Sequence, residues 1–132
     1  MYVIIQIALV LLSLTFAFLI FDHFTPKDER EYLDERRQRP FITDEEFVAR
    51  FYCKSSVSHE IPIRMRHLVA TQLNLHKIFP YDTISAILPD IDFSDFVLFD
   101  VAEEFNISIT SDDIIHLDGS FDSLVNLVER KQ

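Results

Sequence analysis

Glycine is almost absent from this chain: Gly119 is the only one among 132 residues. A phosphate-cradling P-loop or a dinucleotide-binding turn needs several glycines close together, so both are excluded. Cysteine is equally scarce, and Cys53 alone rules out an intrachain disulfide framework and a multi-thiolate zinc site. Basic residues are also few. Twelve Lys and Arg stand against 22 Asp and Glu, and the net charge of −10 has the wrong sign for gripping phosphate backbones. No nucleic-acid partner is expected. The length suits one domain of ordinary size. Apolar residues are plentiful at 48%, a fraction inflated by one segment.

That segment runs from Met1 to Phe21 without a charged side chain, with Gln6, Ser13 and Thr15 as its polar interruptions. A helix rising about 1.5 Å per residue needs roughly 20 apolar residues to cross the hydrocarbon core. The alternative, a cleaved signal peptide, lacks the Lys or Arg that should precede it. Phe18, Phe21 and Phe24 crowd the place where small residues permit cleavage. We expect a retained transmembrane helix over residues 1–22. Lys27, Arg30, Arg36, Arg37 and Arg39 flank it on the C-terminal side, which orients the remainder of the chain toward the cytoplasm. A free Cys53 agrees with a reducing compartment.

Residues 23–40 form a charged linker with helical character. Thr25-Pro26 followed by Asp28 reads as a helix start, and Lys27/Glu31, Arg30/Asp34 and Glu35/Arg39 are spaced for pairing along one helix. The Arg36–Arg39 end is read as solvated, with contact to anionic headgroups as the alternative.

Phe41 to Gln132 carries sixteen acids and seven bases. Residues 41–57 read as a short amphipathic helix and a loop. Thr43 with Glu46 makes a capping box, Ile42 with Phe47 a hydrophobic staple, and Phe47, Val48, Phe51 and Tyr52 an apolar face. Cys53 is expected to pack beside these aromatics. A helix opens near Ser58 or His59, tolerates Pro62 in its first turn, and buries Ile61, Met65, Leu68, Val69 and Leu73. Arg64, Arg66 and His67 fall on its other faces, and Asn74 suits a left-handed stop. A long connection to about Asp92 follows, with Ile78, Phe79, Ile84, Ile87 and Leu88 available to cover the core. From Asp92 an acidic helix places Phe93, Phe96, Val97, Val101 and Phe105 on one side, and Asn106 closes it. Thr110 or Ser111 caps a brief helix through Ile115. Gly119-Ser120 leads into a last helix that buries Phe121, Leu124, Val125 and Val128. The Ile107/Ile109 alternation is too short to hold a sheet, so the expected class is all-α.

The order of these parts resembles one known family. They are the helix ending Val69-Ala70-Thr71-Gln72-Leu73-Asn74-Leu75, the loop with Asp82, Ala102-Glu103-Glu104-Phe105-Asn106-Ile107, Ser108–Asp113, and Gly119-Ser120-Phe121-Asp122-Ser123-Leu124-Val125. Together they look like an acyl carrier protein domain over residues 58–132. The resemblance implies a small four-helix bundle. In that family an aspartate-serine-leucine motif opens the second helix, and its serine carries phosphopantetheine. Counting back from Phe105, the corresponding position holds Ile91. Ser94 is the only nearby hydroxyl, almost one turn late, and Asp92 and Ser94 both also suit a helix start. The domain therefore resembles relatives that lack the attachment serine.

Other chemistry finds little footing. Asp112, Asp113 and His116 share a short helix but form no complete metal site, and acids at a helix start explain them. Glu103 and Glu104 are adjacent and point apart, unlike a catalytic carboxylate pair. No enzyme is expected. The reading is a membrane-anchored binding module whose acidic residues Asp92, Asp95, Asp100, Glu103 and Glu104 dock a protein with a basic surface. The alternatives are a working acyl carrier with phosphopantetheine on Ser94, and a structural subunit of a membrane complex.

Overall fold

Helix is the only regular structure among the described residues of this computed structural model, which are Met1, 6–7, 10, 12–13, 15, 27–73 and 77–132. The all-α expectation is met, with one isolated bridge between Thr83 and Ser120. The chain divides into two compact units, Met1–Arg39 and Pro40–Gln132.

In the first unit, residues 6–7, 10, 12–13 and 15 are helical. The polar interruptions Ser13 and Thr15 donate their hydroxyls to the carbonyls of Val10 and Leu12, at 2.8 and 2.9 Å. The rest of the 1–22 span, on which the expected anchor falls, lies outside the described residues, as does the Thr25-Pro26 helix start. Among the described residues no helix is long and apolar enough to cross a membrane. Helix α1 (Lys27–Gln38) follows. The Glu35/Arg39 spacing yields a two-pronged contact of 2.8–3.1 Å, with the guanidinium over the Tyr32 ring. The solvated-end reading holds for Arg37 but not for Arg36 or Arg39, which are both buried.

The second unit contains α2 (Asp44–Phe51), α3 (Glu60–Leu73) and α4 (Ile84–Ile87). A helix in three parts comes next: α5 (Phe93–Asp95), a π-helical stretch Phe96–Val101, and α6 (Ala102–Phe105). Helices α7 (Ser111–Ile115) and α8 (Phe121–Lys131) complete it. Thr43 opens α2 with the expected reciprocal cap: its hydroxyl accepts from the Glu46 amide, and the Glu46 carboxylate accepts from the Thr43 amide. That start turns Phe47 fully inward, where it meets Phe121 edge-on with ring centroids 5.8 Å apart. Ile42, Tyr52 and Val57 are buried in the same core, so residues 41–57 are part of this unit and no mere connector. Cys53 is exposed, a correction to its expected packing, because the helix ends at Phe51 and the turn after Tyr52 faces outward.

Helix α3 packs along α8 and buries Ile61, Met65 and Val69, whereas Leu68, expected in the same stripe, is half-buried. The side chain of Leu73, and Asn74 with its expected stop, lie outside the described residues. Arg66 is a second correction. It is 2% exposed and lies over the Phe47 ring, since a guanidinium can stack on an aromatic face while its edge reaches polar partners.

The long connection is more ordered than its sequence suggested, because it contains α4 and is latched to the start of α8. The Phe121 amide donates to the Asp82 carbonyl at 2.8 Å, and the Asp122 amide to the Pro80 carbonyl at 2.9 Å. The Ser123 amide is capped by the Ser120 hydroxyl at 3.1 Å. First-turn amides have no partner inside their own helix, so these three bonds satisfy what α8 cannot. The buried Asp82 carboxylate fixes the loop by accepting from the Phe79 amide at 2.8 Å. Tyr52 adds a tie by donating to Asp122 at 2.9 Å; burial and that carboxylate push its phenol well above the usual range.

Gly119 makes the latch possible. Its φ of 84° lies in the left-handed region, and its carbonyl accepts from the Ile84 amide at 2.8 Å. A Cβ there would meet Thr83 at an ordinary 3.7 Å, so backbone conformation, not space, demands glycine. Gly119→Ala should therefore cost about 1–2 kcal/mol, against about 3–5 kcal/mol for Phe47→Ala. Urea unfolding followed by circular dichroism measures both, and equal midpoint shifts would contradict this ranking.

Candidate functional site

The acidic residues singled out by the sequence sit on the π-interrupted helix, and the structure gives them different roles. Asp92 is the cap: its carboxylate accepts from the Asp95 amide at 3.0 Å. Ser94 is exposed in the first turn, and the capping role that its sequence context also allowed belongs to Asp92. At the far end Asn106 adopts the left-handed conformation, φ 51°. The Ile107 amide then reaches the Ala102 carbonyl at 3.0 Å, and the Asn106 amide the Glu103 carbonyl at 3.2 Å.

Between these caps the helix widens into a π turn. Phe96 and Val101 are five residues apart, about 140° apart around a regular α-helix, yet both are fully buried. A π turn closes hydrogen bonds five residues apart and advances less per residue, which brings both onto the core side with Val97 and Phe105. The predicted buried set is met apart from Phe93, which is half-buried. Simple periodicity could not show the π turn, because the same residues fit a broad α-helical stripe.

The outward side is divided. Glu104 is engaged: its carboxylate accepts from Arg64 at 3.0 Å and its carbonyl accepts from the same guanidinium, which lies 4.7 Å from the Phe105 ring. Asp100 is half-buried and lines a cavity of about 360 Å³ with Arg64, Leu68, Glu103 and Glu104. Beside it is a more apolar groove of about 520 Å³, lined by Ile63, Arg64, His67, Leu68, Thr71 and Glu104. Asp95 and Glu103 remain exposed, and neither is ion-paired among the described residues. Phe99 lies between them at 66% exposure, a residue the sequence reading did not single out.

A second polar cluster escaped the sequence reading altogether. Asp44, at the start of α2, accepts from Arg66 at 2.9 Å and contacts His67 Nε2 at 2.6 Å. Arg66 also donates to the Ile42 carbonyl at 2.5 Å. The partners are more than twenty residues apart in sequence, so no local spacing announces them. Partial burial works to raise the Asp44 pKa, but hydrogen bonding and charge from His67 and Arg66 outweigh it and hold the carboxyl below its usual value.

The Asp112/Asp113/His116 trio is likewise structural. Asp113 forms a reciprocal cap with Thr110 and pairs with Lys131 at 2.7 Å; the Lys131 and Thr110 contacts pull its pKa down to about 2. Among the described residues no group of three or more His, Cys, Asp or Glu could hold a metal ion. Comparison with family models, curated proteins and solved structures gives no match.

The depressed Asp44 pKa fixes the sign of a pH dependence. Its pairing contributes stability above the ordinary carboxylate pKa and loses it as pH falls through the lowered folded-state value. Asp44→Asn should lower stability at pH 7 by about 1–3 kcal/mol, because the buried Arg66 loses its charged acceptor. It should also flatten the decline below about pH 4. Unfolding midpoints measured from pH 2 to 7 test both expectations.

Proposed function

We propose that this chain is a membrane-anchored, non-catalytic module of acyl-carrier type that docks a protein with a basic surface through its acidic helix. The observation that carries the reading is the outward row of Asp95 and Glu103. Both are exposed and without ion pairs among the described residues, whereas Asp92 and Glu104 serve the fold itself. The order of parts supports the acyl-carrier likeness: a core helix, a long connection bearing Asp82, an acidic helix closed at Asn106, a brief helix, and a closing helix from Ser120. Tethering through residues 1–22 rests on the uncharged run and the basic residues after it, which also favour a cytoplasmic second unit. An anchor raises the concentration of the module near membrane-bound partners, and a negative face speeds encounter with a positive one.

The residues present do not fit a phosphopantetheine arm. The family count from Phe105 reaches Ile91. Ile91 carries no hydroxyl, and Ser94, the only one nearby, lies three residues later. Intact mass after incubation with coenzyme A and a phosphopantetheinyl transferase should be unchanged while a proven carrier gains the arm. A mass gain that Ser94→Ala abolishes would instead establish the working-carrier alternative.

The docking reading has its own measurement. Partners extracted in mild detergent at low salt should associate at least tenfold more slowly with the Asp95→Lys, Glu103→Lys double variant. Wild-type association should slow similarly as salt shortens the range of the attraction. Equal rates for the two proteins at low salt would refute it.

A further inference from the structure

Phe99 is a large apolar side chain held in water on the helix that carries the docking face. Helical spacing accounts for its position. With Phe96, Val97, Val101 and Phe105 on the core side, Asp95, Phe99 and Glu103 are left exposed on the solvent side. Phe99 falls midway between the two acids in sequence, four residues after Asp95 and four before Glu103. A single exposed phenylalanine is unremarkable on a protein surface. One that occupies the middle of a charged row has the layout of an interface anchor, an aromatic group surrounded by a polar rim.

The rim selects the occupant. Anionic headgroups and nucleic-acid phosphates are repelled by Asp95 and Glu103. A second copy meeting this face through its own would set the same carboxylates against each other. A protein surface with a ring-sized apolar pocket bordered by Lys or Arg satisfies both the aromatic and the acids. We infer that Phe99 is the anchor of the docking face and inserts into such a pocket on a basic partner protein. The inference rests on the docking function proposed above and adds to it the apolar contact that gives the encounter its lifetime, since charges chiefly speed encounter while buried anchors slow release.

The test uses the full chain in its native membrane with the photoreactive residue p-benzoylphenylalanine in place of Phe99. Parallel chains carry it in place of Tyr81, exposed to a similar 61%, and in place of Asp100. Cross-linking from position 99 should exceed that from position 81 at least tenfold. The attached peptide, identified by mass spectrometry, should contain apolar residues flanked by Lys or Arg. Phe99→Ser should reduce partner recovery at least tenfold and Phe99→Leu much less, at both low and high salt. No excess over position 81, or an attached peptide without basic residues, overturns the anchor. Charge-sensitive cross-linking from position 100 with none from 99 overturns it too, while leaving the acidic docking reading intact. Conversely, cross-linking from 99 to a basic segment that survives Asp95→Lys with Glu103→Lys supports the anchor and removes the role given to charge.

Discussion

One packing constraint organises the second unit: Phe96, Val97, Val101 and Phe105 must all enter the same core from one helix. Regular α-helical spacing spreads them over a wide arc, with Phe96 and Val101 about 140° apart. The chain resolves this with a π turn, at the expense of the tighter hydrogen-bond geometry of an α-helix. Narrowing the apolar arc closes the core, while Asp95, Phe99 and Glu103 stay exposed on the opposite side.

The rest of the unit is held by satisfying helix ends with distant groups. Pro80 and Asp82 accept the first-turn amides of α8, and Gly119 turns the chain so that they can reach. Arg66 ties the start of α2 to α3 through Asp44 and the Ile42 carbonyl while its flat face covers Phe47. Each bond stabilises by a modest amount, but leaving its buried donor or acceptor unmatched costs more. The acids of this strongly negative chain are thus unequal. Asp44, Asp82, Asp92 and Asp113 are committed to caps, loops and pairs, whereas Asp95 and Glu103 are exposed and outside such contacts among the described residues.

Much of the architecture was legible because it is written locally. A capping box at Thr43/Glu46, Ser120 before an apolar face, and Asn106 after Phe105 are contacts between residues no more than four apart. The starts of α2 and α8, the stop at Asn106, the all-α class and the buried face of α8 follow from such spacing. The five acids of the candidate site could be named from sequence but not ranked, because their use depends on what lies opposite. Arg64 reaches Glu104 across forty residues, and nothing near either one foretells the pair.

Sequence by itself determined where the capped helices begin, much of the pattern of their apolar faces, and that the chain is acidic with one long uncharged run. These properties depend on neighbours a few residues away and on composition. Tertiary structure alone decided that Arg66 is buried, that Cys53 is exposed, that the Asp82 loop is latched to α8, and that the acidic helix contains a π turn. Each of these depends on elements far apart in the chain meeting around one core, where volume and unmatched polar groups set the outcome.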